Sequence, residues 1–437
     1  MNTGILSLLI VGAMVTLMVL GLPLAFSIGA VAVCLTLYMF EPSVLTMLVS
    51  RIFEMSLDTA LVSVPLFVMM ASILKKSGIA EQLFNAVHIW SGRLRGGLAV
   101  GTILANLIMA AMVGIVGAEI VTFGLFALPV MLERKYDYKL ALGSITAGGG
   151  LATLIPPSIV FIIYGMITGT SIGDLFIAGI VPGVILCFSF IGYILWHCWR
   201  NPEAAPIAAV EDLRLSIRQK LVMQKSLIAP ILLAGSVLGS LYAGIATPTE
   251  AAAVGVGGAV ICAIFNRKLS WAMCWSSSVE TVRVSAMMAW LIFGAQTLIG
   301  AYTLAGGTDF VKNLMISMDL GPWGTIILIN LIWVFLGCII DWIGICMLTV
   351  PIFFPIVKSY GFDPVWFGVV FCMSMHIAYL SPPFAMSAFY TKSISPPEVT
   401  MTDIYSATLP YLYMTVVVTI IMVAFPSLSL WLPLQMR

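Results

Sequence analysis

Leu154-Ile155-Pro156-Pro157-Ser158 breaks one long apolar stretch, and Leu380-Ser381-Pro382-Pro383-Phe384 breaks another. Upstream, Pro129 and Asp137 recur as Pro355 and Asp363, so proline, aspartate and the Pro-Pro pair keep one spacing in both halves, at an offset of 226 residues. Proline removes a backbone donor and crowds the preceding turn, so each pair frees carbonyls inside an otherwise helical run. A Pro-Pro pair alone is equally a packing kink. Two hydrophobic segments interrupted at matching places in two halves, however, point to a transporter's binding site.

The chain of 437 residues is 61% hydrophobic and 9% charged, with a mean hydropathy of +1.10, and its apolar runs cross a hydrocarbon core of about 30 Å several times. It reads as a polytopic helical membrane protein. No charge occurs from Met1 to Phe40, and without a basic start that stretch reads as retained membrane helix turning at Gly21-Leu22-Pro23. The net charge of +1 says little about partners. Eight cysteines without a CxxC, and no paired histidines, argue for packing residues over disulfides or metal sites.

Two charge-poor runs, 97–132 and 320–357, are too long for one crossing and carry small or acidic residues near the middle: Gly114, Gly117 and Glu119, then Gly337, Asp341 and Gly344. Each is expected to be a re-entrant helical hairpin. With both as hairpins, sixteen of the twenty basic residues fall on one side, leaving Arg51, Lys312, Lys358 and Arg437 on the other. That bias satisfies the positive-inside rule, and turning either hairpin into a crossing destroys it. The first hairpin then opens to the cytoplasm and the second outward, so the repeats are inverted.

The expected fold is an all-α polytopic membrane protein with inverted repeats, two re-entrant hairpins and two interrupted helices, divided into an elevator-type scaffold and a transport domain. N-terminal scaffold helices occupy 1–78. The first repeat occupies 79–198, with hairpin 97–132 and interrupted helix 140–168; a cytoplasmic loop at 199–225 joins the halves. Scaffold helices and a connector occupy 226–304, the second repeat 305–405 with hairpin 320–357 and interrupted helix 364–391, and a C-terminal helix 406–437. Amphipathic stretches at Ile79–Leu94 and Asp309–Met318 precede the hairpins, as arms or plain connectors.

Half-helix N-termini at the tips offer N–H groups to an anion, while C-terminal ends and unwound Pro-Pro segments offer carbonyls to a cation. A cation is expected at Gly114, Gly117, Gly149, Thr153, Pro156, Gly337, Asp341, Gly344, Ser381 and Pro382. A carboxylate in mid-hairpin costs roughly 2.5–3.5 kcal/mol on insertion scales, so Asp341 is expected to face a cation or water. Glu119 is either a proton or cation site or a hydrogen-bonded structural carboxyl. Glu250 is read as a helix cap, and His376 as a satisfied interior histidine outside the coupling machinery.

Pro65-Leu66-Phe67-Val68-Met69-Met70, Gly96-Gly97-Leu98-Ala99, Thr168-Gly169-Thr170-Ser171, Thr247-Pro248-Thr249-Glu250-Ala251-Ala252-Ala253 and Phe425-Pro426 with Leu430-Trp431-Leu432-Pro433 carry a likeness over nearly the whole chain. It resembles the large membrane subunit of tripartite ATP-independent periplasmic (TRAP) transporters, in the ion transporter superfamily. The resemblance implies Na⁺-coupled symport of an organic acid by an elevator mechanism in the bacterial inner membrane, with no cofactor beyond Na⁺. It also implies a small four-helix membrane subunit and a periplasmic substrate-binding protein as partners. The implied carboxylate, a C4-dicarboxylate or keto acid, would have Ser158, Thr153 and Ser381 as polar neighbours. Family members often carry a Gly-Ser-Ser cluster at the first tip followed by a Thr, where this chain reads Val113-Gly114-Ile115-Val116-Gly117-Ala118-Glu119, so the first Na⁺ site is left open. An enzyme is not expected, for no Ser-His-Asp grouping, HExxH or Asp-rich motif occurs. A channel, or a superfamily carrier working without a binding protein, is the alternative.

Overall fold

The computed structural model describes residues 3–91, 94–114, 116–206 and 228–436. Arg93, Ile115, Arg437 and most of the expected loop, including Arg214, Arg218, Lys220 and Lys225, lie outside them. Every regular element among the described residues is helical, and seven helices are long and apolar enough to cross a membrane. In chain order α1 is Thr3–Val19, α2 Leu24–Met39, α3 Val44–Ser56, α4 Thr59–Lys76, α5 Ile79–Ser91, α6 Gly97–Val113, α7 Val116–Glu133, α8 Tyr138–Gly150, α9 Ile159–Thr168 and α10 Ile172–Arg200. After the join come α11 Ile228–Tyr242, α12 Pro248–Phe265, α13 Trp271–Leu304, α14 Gly307–Ser317, α15 Gly321–Gly337, α16 Trp342–Ser359, α17 Pro364–Leu380, α18 Met386–Ile394, α19 Met401–Ala424 and α20 Ser427–Met436.

The sequence offset of 226 survives as geometry. It separates the first residues of α7 and α16, Val116 and Trp342, and those of α8 and α17, Tyr138 and Pro364. The recurring aspartates have one job in both halves: Asp137 Oδ1 accepts from Leu140 N at 3.0 Å and Asp363 Oδ1 from Val365 N at 2.7 Å, each capping the helix it precedes. An N-cap of this kind contributes typically about 1 kcal/mol. Packing then exchanges the halves: α7 lies against α18 of the other repeat, and α16 against α9. Thr146 on α8 and Thr391 on α18, 2.7 Å apart through their hydroxyls, tie the repeats together.

Around this pair of repeats α2 and α4 pack on the long α13, and α4 on α12. The capping box expected of Glu250 is present: Thr247 N donates to Glu250 Oε2 at 2.8 Å, and Glu250 N to Thr247 Oγ1 at 3.3 Å. Three elements differ from the sequence reading. Helix α3, carrying Arg51 and Glu54, was not anticipated because it is mostly exposed and lacks an apolar run. Helix α13 begins at Trp271, ahead of the charge-free run 284–304 that the sequence offers as a span, and Glu280, whose charge masks this part in a hydropathy reading, is paired with Lys76 at 3.0 Å and Lys75 at 3.8 Å on α4. The single C-terminal helix is two, α19 and α20, parted at Phe425-Pro426 where proline ends the ladder.

Candidate functional site

Run 97–132 is α6 and α7 packed on one another across a turn at Gly114, and run 320–357 is α15 and α16 joined through Cys338–Asp341. Both interrupted helices are broken where the proline pairs stand. After α8 the chain tightens into a 3₁₀ turn, Leu151–Thr153, before resuming as α9, and α17 stops at Leu380 before α18 begins. Both proline pairs hold cis peptide bonds. Gly114 has φ +64°, and a Cβ there would lie 2.1 Å from the Pro157 carbonyl oxygen, so only glycine lets the first tip seat on the break. At the second tip Cys338 Sγ donates to Pro382 O at 3.7 Å.

Between the tips lies a cavity of about 360 Å³. Its lining includes the first residues of four helices: Val116 of α7, Ile159 of α9, Trp342 of α16 and Met386 of α18. Each helix start carries partial positive charge and orphan N–H donors. Two of the four are uncapped by side chains, because Ser158 and Ala385 make no capping hydrogen bond. Helices α2 and α13 close the other wall with Pro23, Leu24, Met288 and Leu291. None of the lining residues is Lys or Arg; the charged one is Asp341.

Of the predicted residues, Gly114, Gly117, Thr153 and Asp341 line this cavity. Asp341 is half-buried and caps α16, its Oδ2 accepting from Ile343 N at 3.4 Å, a role its mid-run position did not disclose. Thr153 donates to Gly150 O at 3.0 Å and stands 3.2 Å from His376 Nδ1. The others sit behind the wall. Ser158 spends its hydroxyl on Thr153 O at 2.7 Å. Gly149 backs onto Ile120, Gly337 onto Ala378 and Gly344 onto Ile340 and Leu24, each a close approach. Pro156 and Pro382 form the breaks, and Ser381 ends α17 half-buried. Glu119 is 1% exposed, and neither carboxylate oxygen has a hydrogen-bond partner among the described residues.

His376 departs from the satisfied interior histidine expected: its Nε2 is buried without a hydrogen-bond partner among the described residues. Trp342, Tyr379, Met386 and Tyr390, which also line the cavity, were missed. Tyr390 had a signal, for it stands 226 residues after Tyr164.

The family model described as "Tripartite ATP-independent periplasmic transporter, DctM component" matches residues 11–428. The C4-dicarboxylate TRAP transporter large permease protein DctM of Pseudomonas aeruginosa is 30% identical over 91% of this chain and 92% of its own length. The ectoine/5-hydroxyectoine large permease protein UehC of Ruegeria pomeroyi is 30% identical over 96% of each. In structure the chain resembles Neisseria gonorrhoeae MtrF, with a TM-score of 0.62 at 12% identity, covering 87% of this chain and 83% of that one. That likeness extends to the fold alone. The chain is a multi-pass membrane protein that belongs to the DctM component family of tripartite ATP-independent periplasmic transporters.

Proposed function

We propose that this chain is the permease of a Na⁺-coupled symporter that imports a small organic carboxylate, of the C4-dicarboxylate or keto-acid class, across a bacterial inner membrane. The observation that carries the reading is the convergence of four helix N-termini and one carboxylate, Asp341, on a single cavity. Orphan N–H groups at helix starts suit a carboxylate ligand. Asp341 repels that same ligand, so a cation must sit beside it for both to be held. Coupling follows from this: the substrate anion and Na⁺ each improve the site for the other. Oxygens from Gly114, Gly117, Thr153 and Asp341 are the ligands offered to Na⁺.

The hairpins and interrupted helices form the moving body, sliding against α2, α4 and α13, and the substrate arrives from a periplasmic binding protein with a small membrane subunit completing the complex. A fused relative, the isethionate TRAP transporter permease protein DctMQ of Oleidesulfovibrio alaskensis, which this chain covers over 64% of its length, supports a further membrane part. Glu119 adds a proton site to the cycle, supported by its burial without a hydrogen-bond partner among the described residues.

Uptake of succinate and pyruvate into liposomes holding this chain, the small subunit and the binding protein tests the reading. Saturable, Na⁺-dependent accumulation is expected, and large ohmic currents without saturation would establish a channel instead. The inverted topology is checked in a cysteine-free background, where a cysteine at Lys135 is labelled from the cytoplasm and one at Lys358 from the periplasm. Labelling of both from one face refutes it.

A further inference from the structure

We infer that a second carboxylate-binding subsite lies beside the first, in the cleft between α4, α13 and the first hairpin, and that substrate enters it past the Gly117–Tyr390 contact. The inference rests on the transport reading above. The cleft encloses about 270 Å³ and shares Gly117, Val284 and Tyr390 with the main cavity. On α13, Glu280, Val284, Met288 and Leu291 recur at helical spacing and so lie along one edge, Glu280 lining the cleft, Met288 and Leu291 the main cavity, and Val284 both. At the junction stands the Tyr390 ring. It lies so close to Gly117 that a Cβ on that glycine would meet Tyr390 Cζ at 2.5 Å.

Beyond that ring the walls are apolar, with Val68, Ala71, Ala118 and Val121, and the polar groups are Ser72, Lys75 and Glu280. Glu280 receives Ser72 Oγ–H at 2.7 Å and lies 3.0 Å from Lys76 and 3.8 Å from Lys75. Two ammonium groups against one carboxylate leave one positive charge in surplus. The Ser72 hydroxyl is spent on Glu280, so an incoming carboxylate meets the unbalanced lysine. The main cavity has no basic residue, so Lys75 is the first ammonium such an anion meets along this route. A cleft of this kind makes import sensitive to carboxylate accumulated on the Lys75 side.

The test is inhibition of succinate uptake by succinate preloaded into liposomes carrying the whole complex, where the binding protein restricts uptake to one orientation. Lys75→Gln is expected to weaken internal inhibition about 5-fold, and Glu280→Gln, which raises the surplus to two charges, to strengthen it about 5-fold, the scale of one half-exposed ion pair. External KM stays unchanged in both. Lys75→Arg restores wild-type inhibition, which separates charge from damage to the helix pair. Equal shifts in both variants, or normal uptake with unchanged inhibition, would reduce the cluster to a structural fastening of α4 to α13. Absence of uptake in the wild-type complex would remove the transport reading and the subsite with it.

Discussion

Gly150 and His376 occupy equivalent positions in the two repeats, 226 residues apart, and meet where both are buried: a Cβ on Gly150 would lie 2.7 Å from His376 Cε1. Thr153, one turn on, stands 3.2 Å from the ring at Nδ1. The two halves thus touch through a residue with no side chain and one with a large polar ring.

That contact makes Thr153→Val informative. Removing the hydroxyl takes from the buried His376 ring its side-chain hydrogen-bond partner, at a cost of about 1–3 kcal/mol. A lower melting temperature in detergent is expected, together with weaker apparent Na⁺ affinity. Unchanged Na⁺ affinity beside lost stability would make Thr153 a structural residue only.

Gly114→Ala should abolish transport in an assembled complex. The new Cβ meets the Pro157 carbonyl at 2.1 Å on a backbone at φ +64°, where a β-carbon costs about 1–2 kcal/mol before any clash. The tip must lift off the proline break. Wild-type uptake by this variant would show that the seating is dispensable.

Asp341 has two separable roles. Asn is as good an N-cap as Asp, so Asp341→Asn should keep α16 intact while lowering apparent Na⁺ affinity about 10- to 150-fold, the worth of one charge-assisted contact. Asp341→Ala should lose the cap as well, about 0.5–2 kcal/mol more by thermal melting. If Asp341→Asn binds Na⁺ normally, the carboxylate is a cap and backbone carbonyls are the ligands.

Glu119→Gln decides which ion the buried carboxyl serves. If Glu119 carries a proton through the cycle, the variant flattens the pH dependence of uptake and keeps its Na⁺ dependence. Retention of both profiles would make Glu119 structural, and loss of the Na⁺ dependence alone would make it a cation ligand.

Much of the architecture was legible because it is written in symmetric, local signals. The proline pairs act on their own backbone, and the Asp137 and Asp363 carboxylates on backbone N–H groups two or three residues on, so their spacing reported the helix breaks and caps directly. Hydropathy reported the long apolar helices, and the length of runs 97–132 and 320–357 reported that each holds two helices and a turn. Helix α13 was cut short in the reading because the partners of Glu280 lie on α4, over two hundred residues away.

What tertiary structure alone decided is which of the flagged residues share a space. Gly114, Gly117, Thr153 and Asp341 share the cavity, since α7 packs on α18 and α16 on α9 of the opposite repeat, while Ser158, Gly149 and Gly344 turn to neighbours. No spacing within one half encodes that exchange. The sequence determined where helices break and leave polar groups unpaired, because those effects act within a few residues. Only the folding of one repeat against the other determined that four helix starts and Asp341 face one volume, because that depends on contacts across the whole chain.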